Sequence, residues 1–214
     1  YGEQKKMPST RMASAALLRE ALISAQNYKT NREKSDPEKF VERDLKMEAL
    51  CDVLDKKIPL RAHAHRADDI MTAIRIAKEF DVDIVIEHCT EGHLIADELA
   101  SFGIPAIVGP SLSSRSKIEL ENLTFETPGI LSKKGIKVAI MTDHPVIPMQ
   151  YLRICAAMAV REGMEEKEAL AAITINPAEI LGVSDRLGSI QKGKDADIVI
   201  WNGHPLEVKS KPSC

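Results

Sequence analysis

Ile58-Pro-Leu-Arg-Ala-His63, Val82-Asp-Ile-Val-Ile-Glu-His88, Ile104-Pro-Ala-Ile-Val108 and Gly135-Ile-Lys-Val-Ala-Ile-Met-Thr-Asp143 are four short apolar runs, separated by longer stretches of helical spacing. They recur at intervals of about 20 to 35 residues, the size of a βα unit. Each run is apolar enough for a strand covered on both faces, as parallel sheets require. The class is therefore α/β. Two runs end on a histidine and one on an aspartate. Parallel strands bring successive carboxyl ends to one face, where α/β folds put their chemistry. Two imidazoles and a carboxylate gathered there make a candidate metal site formed by His63, His88 and Asp143, a donor set that suits Zn, Fe or Mn.

The stretches between the runs carry helical stripes. Ile70, Ile74, Ala77 and Phe80 share a face after His63, and Ile95, Leu99 and Phe102 share one after His88, with Gly103 as the stop. A helical stretch from Lys117 to Lys134 is expected to be interrupted at Pro128-Gly129, and Met149 to Arg161 reads as a nearly all-apolar buried helix. Ahead of the first run, Met12, Ala16, Leu18, Leu22 and Ala25 have helical spacing, and a polar break is expected from Asn27 to Ser35. Ser35-Asp-Pro-Glu38 then reads as a capping box that opens a second helix, with Phe40, Val41, Leu45 and Leu54 on its apolar face. Beyond Gly163, Glu165 to Ile173 reads as a helix, and Asn176-Pro177 opens a short one with Asn as its cap. Gly188 to Trp201 reads as two short strands around a Lys-Gly-Lys turn, followed by a tail.

The bulk numbers narrow the partners. A chain of 214 residues can build one well-cored domain and a small appendage. A net charge of −3 with mixed signs leaves no basic footprint for nucleic acid. No apolar run approaches the roughly 20 residues needed to cross a membrane. Cys51, Cys89, Cys155 and Cys214 are scattered without a Cys-x-x-Cys pair, which suits a reducing, cytoplasmic setting. Cys89 reads as a small buried residue. No Gly-x-Ser-x-Gly, phosphate-loop or dinucleotide glycine pattern is present.

Three further residues are substrate-contact candidates. By strand alternation His65 lies on the side of His63, as a second ligand, a substrate contact or a helix-capping group. His144 follows Asp143 at a proline corner, and Arg115 in the polar loop Gly109 to Arg115 offers a planar fork for a carboxylate. His93 and His204 read as ordinary surface residues.

With those residues in place, the chain resembles the C-terminal part of a metal-dependent amidohydrolase of the imidazolonepropionase-related group. Five pieces carry the resemblance: Ala62-His63-Ala64-His65, Ile86-Glu87-His88, Met141-Thr142-Asp143-His144-Pro145, Asn176-Pro177 through Leu181-Gly182, and Gly188-Ser189-Ile190 through Gly193-Lys194-Asp195-Ala196-Asp197. The last two form a specific closing signature, and the match covers residues 58 to 204. The resemblance implies an eight-stranded (β/α) barrel in which His63 after strand five and His88 at strand six bind the metal. Asp143 at strand eight would touch it, take a proton from the attacking water and hand it to the leaving nitrogen. Zinc is the first expectation for the metal, and a small molecule with an amide, lactam or cyclic amidine C–N bond for the substrate.

The family's first strand carries a His-x-His pair, and none precedes His63. A whole barrel also needs about 250 residues. The expected organisation is therefore a helical segment over 1–57, a half barrel of strands five to eight over 58–183, and β-sandwich strands with a tail over 184–214. On that reading the chain is incomplete and inactive alone, and its partner is a missing N-terminal half or a second copy. The rival from another class is a metal-free half-barrel serving as an interaction or assembly module.

Overall fold

The computed structural model describes residues 7–34 and 42–213. Their contacts divide into two compact units: residues up to Ala62 with Met71–Ile84, and His63–Ile70 with Val85 onward.

The first unit contains α1 (Arg11–Lys34) and α2 (Leu45–Leu54). Leu22 and Ala25 on α1 and Val53 on α2 are buried. The helices approach closely enough for the Cys51 thiol to lie 3.6 Å from the Ala25 carbonyl. α1 runs straight through the polar break expected from Asn27. Its last turns lack apolar residues but are held by charge: Arg32 pairs with Glu48 at 2.8 Å, Lys29 pairs with Asp55, and the Tyr28 hydroxyl meets Glu48. Gln, Lys, Arg and Glu are also good helix formers, so polarity there marked a solvated face and not a loop. Asp44 caps α2, its carboxylate accepting from the backbone N–H of Lys46 and Met47. The capping box expected at Ser35–Glu38, with Phe40 and Val41, lies outside the described residues.

The four apolar runs form β1 (Leu60–Ala64), β2 (Ile84–His88), β3 (Ala106–Val108) and β4 (Val138–Ile140), in one sheet of order β1-β2-β3-β4. β2, β3 and β4 are parallel, with Ile86 beside Ala106 and Ala106 beside Val138. Every residue of β3 and β4 is buried, as a sheet covered on both faces demands. Strand order equals chain order because each connection returns through a helix. α3 (Ala67–Glu79) follows β1, and its first turn carries Asp68 and Asp69, which suit the positive end of the helix dipole. Ile70 and Ile74 on its apolar stripe are fully buried.

In the second unit, α4 (Ala96–Phe102) follows a 3₁₀ turn at Gly92–Ile95 and ends where Gly103 takes φ +64°. Pro128 and Gly129 do not interrupt a helix. They open α5 (Thr127–Lys133), Pro128 sitting in the first turn where its missing N–H costs nothing. A Cβ on Gly129 would meet the Met164 backbone at 3.1 Å, so a small residue is needed there for chain to pack on chain. α6 (Leu152–Arg161), α7 (Glu166–Ala171) and α8 (Ile175–Ile180) complete the helices. Cys155, Ala156 and Ala159 of α6 pack with Ile140, Met164 and Ala169 into one buried cluster. Asn176 is not the cap of α8. Thr174 precedes the helix, and the Asn176 amide donates to the Val138 carbonyl at 2.8 Å, tying α8 to β4.

The strands expected between Gly188 and Trp201 carry no ladder. Among the described residues beyond 183, a single antiparallel bridge joins Trp201 to Pro212. Ile198, Val199 and Ile200 stay more than half exposed. An extended run becomes a strand only against a partner backbone, and this one meets none beyond that bridge. The tail is nonetheless anchored: Leu206 is buried, and Arg153 donates to the carbonyls of Pro205 and Glu207 while lying 5.1 Å from the Trp201 ring centre.

Candidate metal centre

The second unit brings three imidazoles together. His63 comes from β1, His65 follows its end, and His88 closes β2. One ring nitrogen from each lies within 4.8 Å of the others. His88 Nε2 is 3.0 Å from His63 Nδ1, and His63 Nε2 is 3.2 Å from His65 Nε2. Both outer rings are anchored at their far nitrogens: His88 Nδ1 reaches the Gly109 carbonyl at 2.8 Å, and His65 Nδ1 reaches the Thr90 hydroxyl at 2.9 Å.

Proton positions follow from one fixed end. The Gly109 carbonyl only accepts, so His88 Nδ1 carries a proton and Nε2 presents a lone pair. With all rings neutral, His63 Nδ1 then donates to His88, His65 Nε2 donates to His63, and the Thr90 hydroxyl donates to His65. Each ring gives one hydrogen bond and takes one. Burial, then the neighbouring imidazoles of His88 and His63, push the His65 pKa down to about 4. Burial first and His63 second also lower His88, against the Gly109 hydrogen bond and the Asp143 carboxylate. These groups therefore hold lone pairs at neutral pH. The three rings fit a divalent cation: it would be met by the Nε2 lone pairs of His88 and His63, and by His65 Nε2 once the His65 proton moves to Nδ1 and is donated to the Thr90 hydroxyl.

A cavity of about 230 Å³ adjoins the three rings. Asp143 borders it, beyond the end of β4, with its side chain exposed. His88 and Asp143 both take left-handed backbone, φ +67° and +50°. Non-glycine residues adopt that region at a cost of roughly 1–3 kcal/mol, and such costs cluster at functional sites. The remaining wall comes from Pro110, Ser113, Ser114, Ser116, Lys117, Leu120 and Val146.

Two expected contacts are placed elsewhere. Arg115 donates to the Leu123 carbonyl at 2.7 Å and lines a separate cavity of about 310 Å³ with Ser111 and Phe125. His144 is exposed and is not among the described residues that line the imidazole cavity. His93, expected at the surface, is half-buried with its Nδ1 2.9 Å from the buried Thr127 hydroxyl. Sequence reasoning missed Thr90 and Glu91. Glu91 donates its N–H to the His65 carbonyl, and its carboxylate accepts from the Ala67 N–H and the Asn122 amide. Their only signal was adjacency to His88.

An amidohydrolase family model matches residues 7–213. The chain belongs to the amidohydrolase family. A solved amidohydrolase from Thermotoga maritima superposes with a TM-score of 0.95 and 51% identity, covering 99% of this chain and 56% of that one. The amidohydrolase tasK of Hapsidospora irregularis is 27% identical over 99% of this chain and 23% of its own length. The imidazolonepropionase of Thermoplasma acidophilum is 45% identical, over 35% of this chain and 18% of its own. The chain thus spans about half the length of the Thermotoga amidohydrolase and less of the other two. Among the described residues of this amidohydrolase-family chain, no helix is long and apolar enough to cross a membrane.

Proposed function

We propose that this chain supplies one part of the active site of a metal-dependent hydrolase that cleaves C–N bonds in non-peptide amides, lactams or cyclic amidines. The observation that carries the reading is the convergence of His63, His65 and His88 beside a cavity that Asp143 borders. His63, His88 and Asp143 would hold the cation, with His65 in reach as a third imidazole. Zinc fits a nitrogen-rich donor set best, ahead of iron or manganese. Bound there, a divalent cation supplies Lewis acidity, polarising the scissile group and making water acidic enough to attack near neutral pH.

The chain's own residues do the rest. Gly109 and Thr90 hold the rings of His88 and His65 in fixed orientation. The Asp143 carboxylate takes a proton from the attacking water and returns it to the leaving nitrogen as the C–N bond breaks. Pro110, Leu120 and Val146 give the cavity an apolar wall for a small molecule. Cys51, Cys89 and Cys155 are free thiols, in keeping with a reducing cytoplasmic setting. The activity is assigned to the complete catalytic unit, with this chain as the part that holds these groups.

The test is Asp143→Asn in the zinc-loaded catalytic unit. Compared at equal zinc occupancy, because Asp143 would also touch the cation, the variant should lose about 10²–10⁴ in the rate of lactam hydrolysis, the usual worth of a positioned general base. An undiminished rate would remove Asp143 from the chemistry.

A further inference from the structure

Three consecutive residues after β2 grip the chain that leaves β1. Cys89 donates its N–H to the Ala64 carbonyl at 3.1 Å, and the Thr90 hydroxyl meets His65 Nδ1 at 2.9 Å. Glu91 donates its N–H to the His65 carbonyl at 2.8 Å, and its carboxylate accepts from the Ala67 N–H, also at 2.8 Å. The two Glu91 contacts bracket Arg66, holding the peptide group on either side of it where the end of β1 turns into α3. Ala67 is the first residue of α3, so its N–H has no acceptor within the helix. The second carboxylate oxygen accepts from the Asn122 amide at 3.0 Å, in the connection after β3. Glu91 is buried, and both of its oxygens are engaged, as a buried carboxylate requires. It is not among the described residues that line the imidazole cavity, so it acts on the site through the chain and not by touching what binds there.

We propose that Glu91 is the positioning residue of His65: it fixes the main chain from which the ring hangs, as Thr90 fixes the ring's far nitrogen. The inference rests on the hydrolase reading for the cation that His65 meets, and on the hydrogen bonds alone for the aim of the ring. The role requires reach and an acceptor oxygen, not charge. Glutamine keeps the length and one acceptor for the Ala67 N–H, and Asn122 can turn its amide to accept from the other end. Aspartate keeps the charge but is one methylene shorter, so its oxygens no longer reach the Ala67 N–H. A through-space action of the carboxylate on the cation gives the opposite order, because aspartate preserves it and glutamine abolishes it.

Two readouts on the purified chain and its Glu91→Gln and Glu91→Asp variants test this. Long-range proton–nitrogen NMR of the metal-free protein reads the His65 ring directly. The parent and Glu91→Gln should show one fixed tautomer, with the proton on Nε2 and Nδ1 facing Thr90. Glu91→Asp should show the averaged nitrogens of a ring that has lost its aim. Zinc competition against a chromophoric chelator should place Glu91→Gln within about twofold of the parent and Glu91→Asp about tenfold weaker, the lower end of what supporting groups contribute to metal affinity. Glu91→Gln as weak as Glu91→Asp or weaker, or a His65 ring unaltered in Glu91→Asp, overturns the proposal. Zinc on the parent separates this failure from failure of the hydrolase reading. A parent that holds zinc while both variants match it sinks Glu91 alone. A parent that holds no zinc, with the ring freed in Glu91→Asp only, sinks the metal reading and leaves Glu91 as the residue that aims His65.

Discussion

Thr90 holds the only hydrogen bond to the far nitrogen of His65 among the described residues, and it is itself buried. Groups that fix the second nitrogen of a ligand histidine set both its tautomer and its aim, and losing one typically costs 10–100-fold in metal affinity. Thr90→Val keeps the shape and removes the hydroxyl. Competition against a chromophoric chelator should show zinc affinity falling by about tenfold; unchanged affinity would mean that His65 takes no part. Beside it, Cys89 is fully buried and its thiol is pushed up to about 12 by burial. A thiol reagent should therefore modify the half-buried Cys51 of the native protein well before Cys89, read by peptide mass. The same packing favours glycine at 92, because a Cβ there would stand 2.4 Å from the Cys89 sulfur. Gly92→Ala should lower unfolding stability by about 1–3 kcal/mol in urea, and Cys89→Ala in the same chain should recover part of that loss.

At the scale of elements, ion pairs join α1 to α2 beside their apolar contact. The Arg43 guanidinium, with Arg32 and the Tyr28 hydroxyl behind it, holds the Glu48 carboxyl down at about 2, against an ordinary 4.5. A depressed acid stabilises the fold while ionised. That contribution is complete above about pH 4.5 and is lost as pH falls from there toward 2. Glu48→Gln should therefore flatten the acid limb of a thermal-melt series in that window and leave its shape near neutrality unaltered; an unchanged acid limb would show the pairing to be idle. The same elements show what the sequence could and could not reveal. The runs of β2, β3 and β4 were legible because burial on both faces leaves no other reading for Val85, Ile86, Ile107 or Val138, whereas β1 alternates between half-buried and exposed residues up to His63. The polar end of α1 was not, because its partners on Glu48 and Asp55 lie far along the chain. Asn176 was read as a local cap when its amide serves the Val138 carbonyl in another element. Thr90 and Glu91 were silent for the same reason: nothing local distinguishes a hydroxyl or a carboxylate that braces His65 from another part of the chain.

At the largest scale the described residues hold a four-stranded sheet, parallel across β2, β3 and β4, with β1 and β4 at the ends of its order, and an apolar run at Ile198–Ile200 left largely to solvent. An exposed apolar run of this kind is where another backbone adds. Family membership rests on the match over residues 7–213 and not on the site. The claim at the centre of the functional account is narrower: imidazoles from separate strands make one metal centre. Zinc titration of the purified chain, with metal analysis after dialysis, tests it most directly, run beside His63→Ala and His88→Ala with circular dichroism to confirm folding. The account predicts stoichiometric zinc on the parent chain and its loss from both folded variants. Zinc absent under every loading condition, or retained equally by both variants, would contradict it.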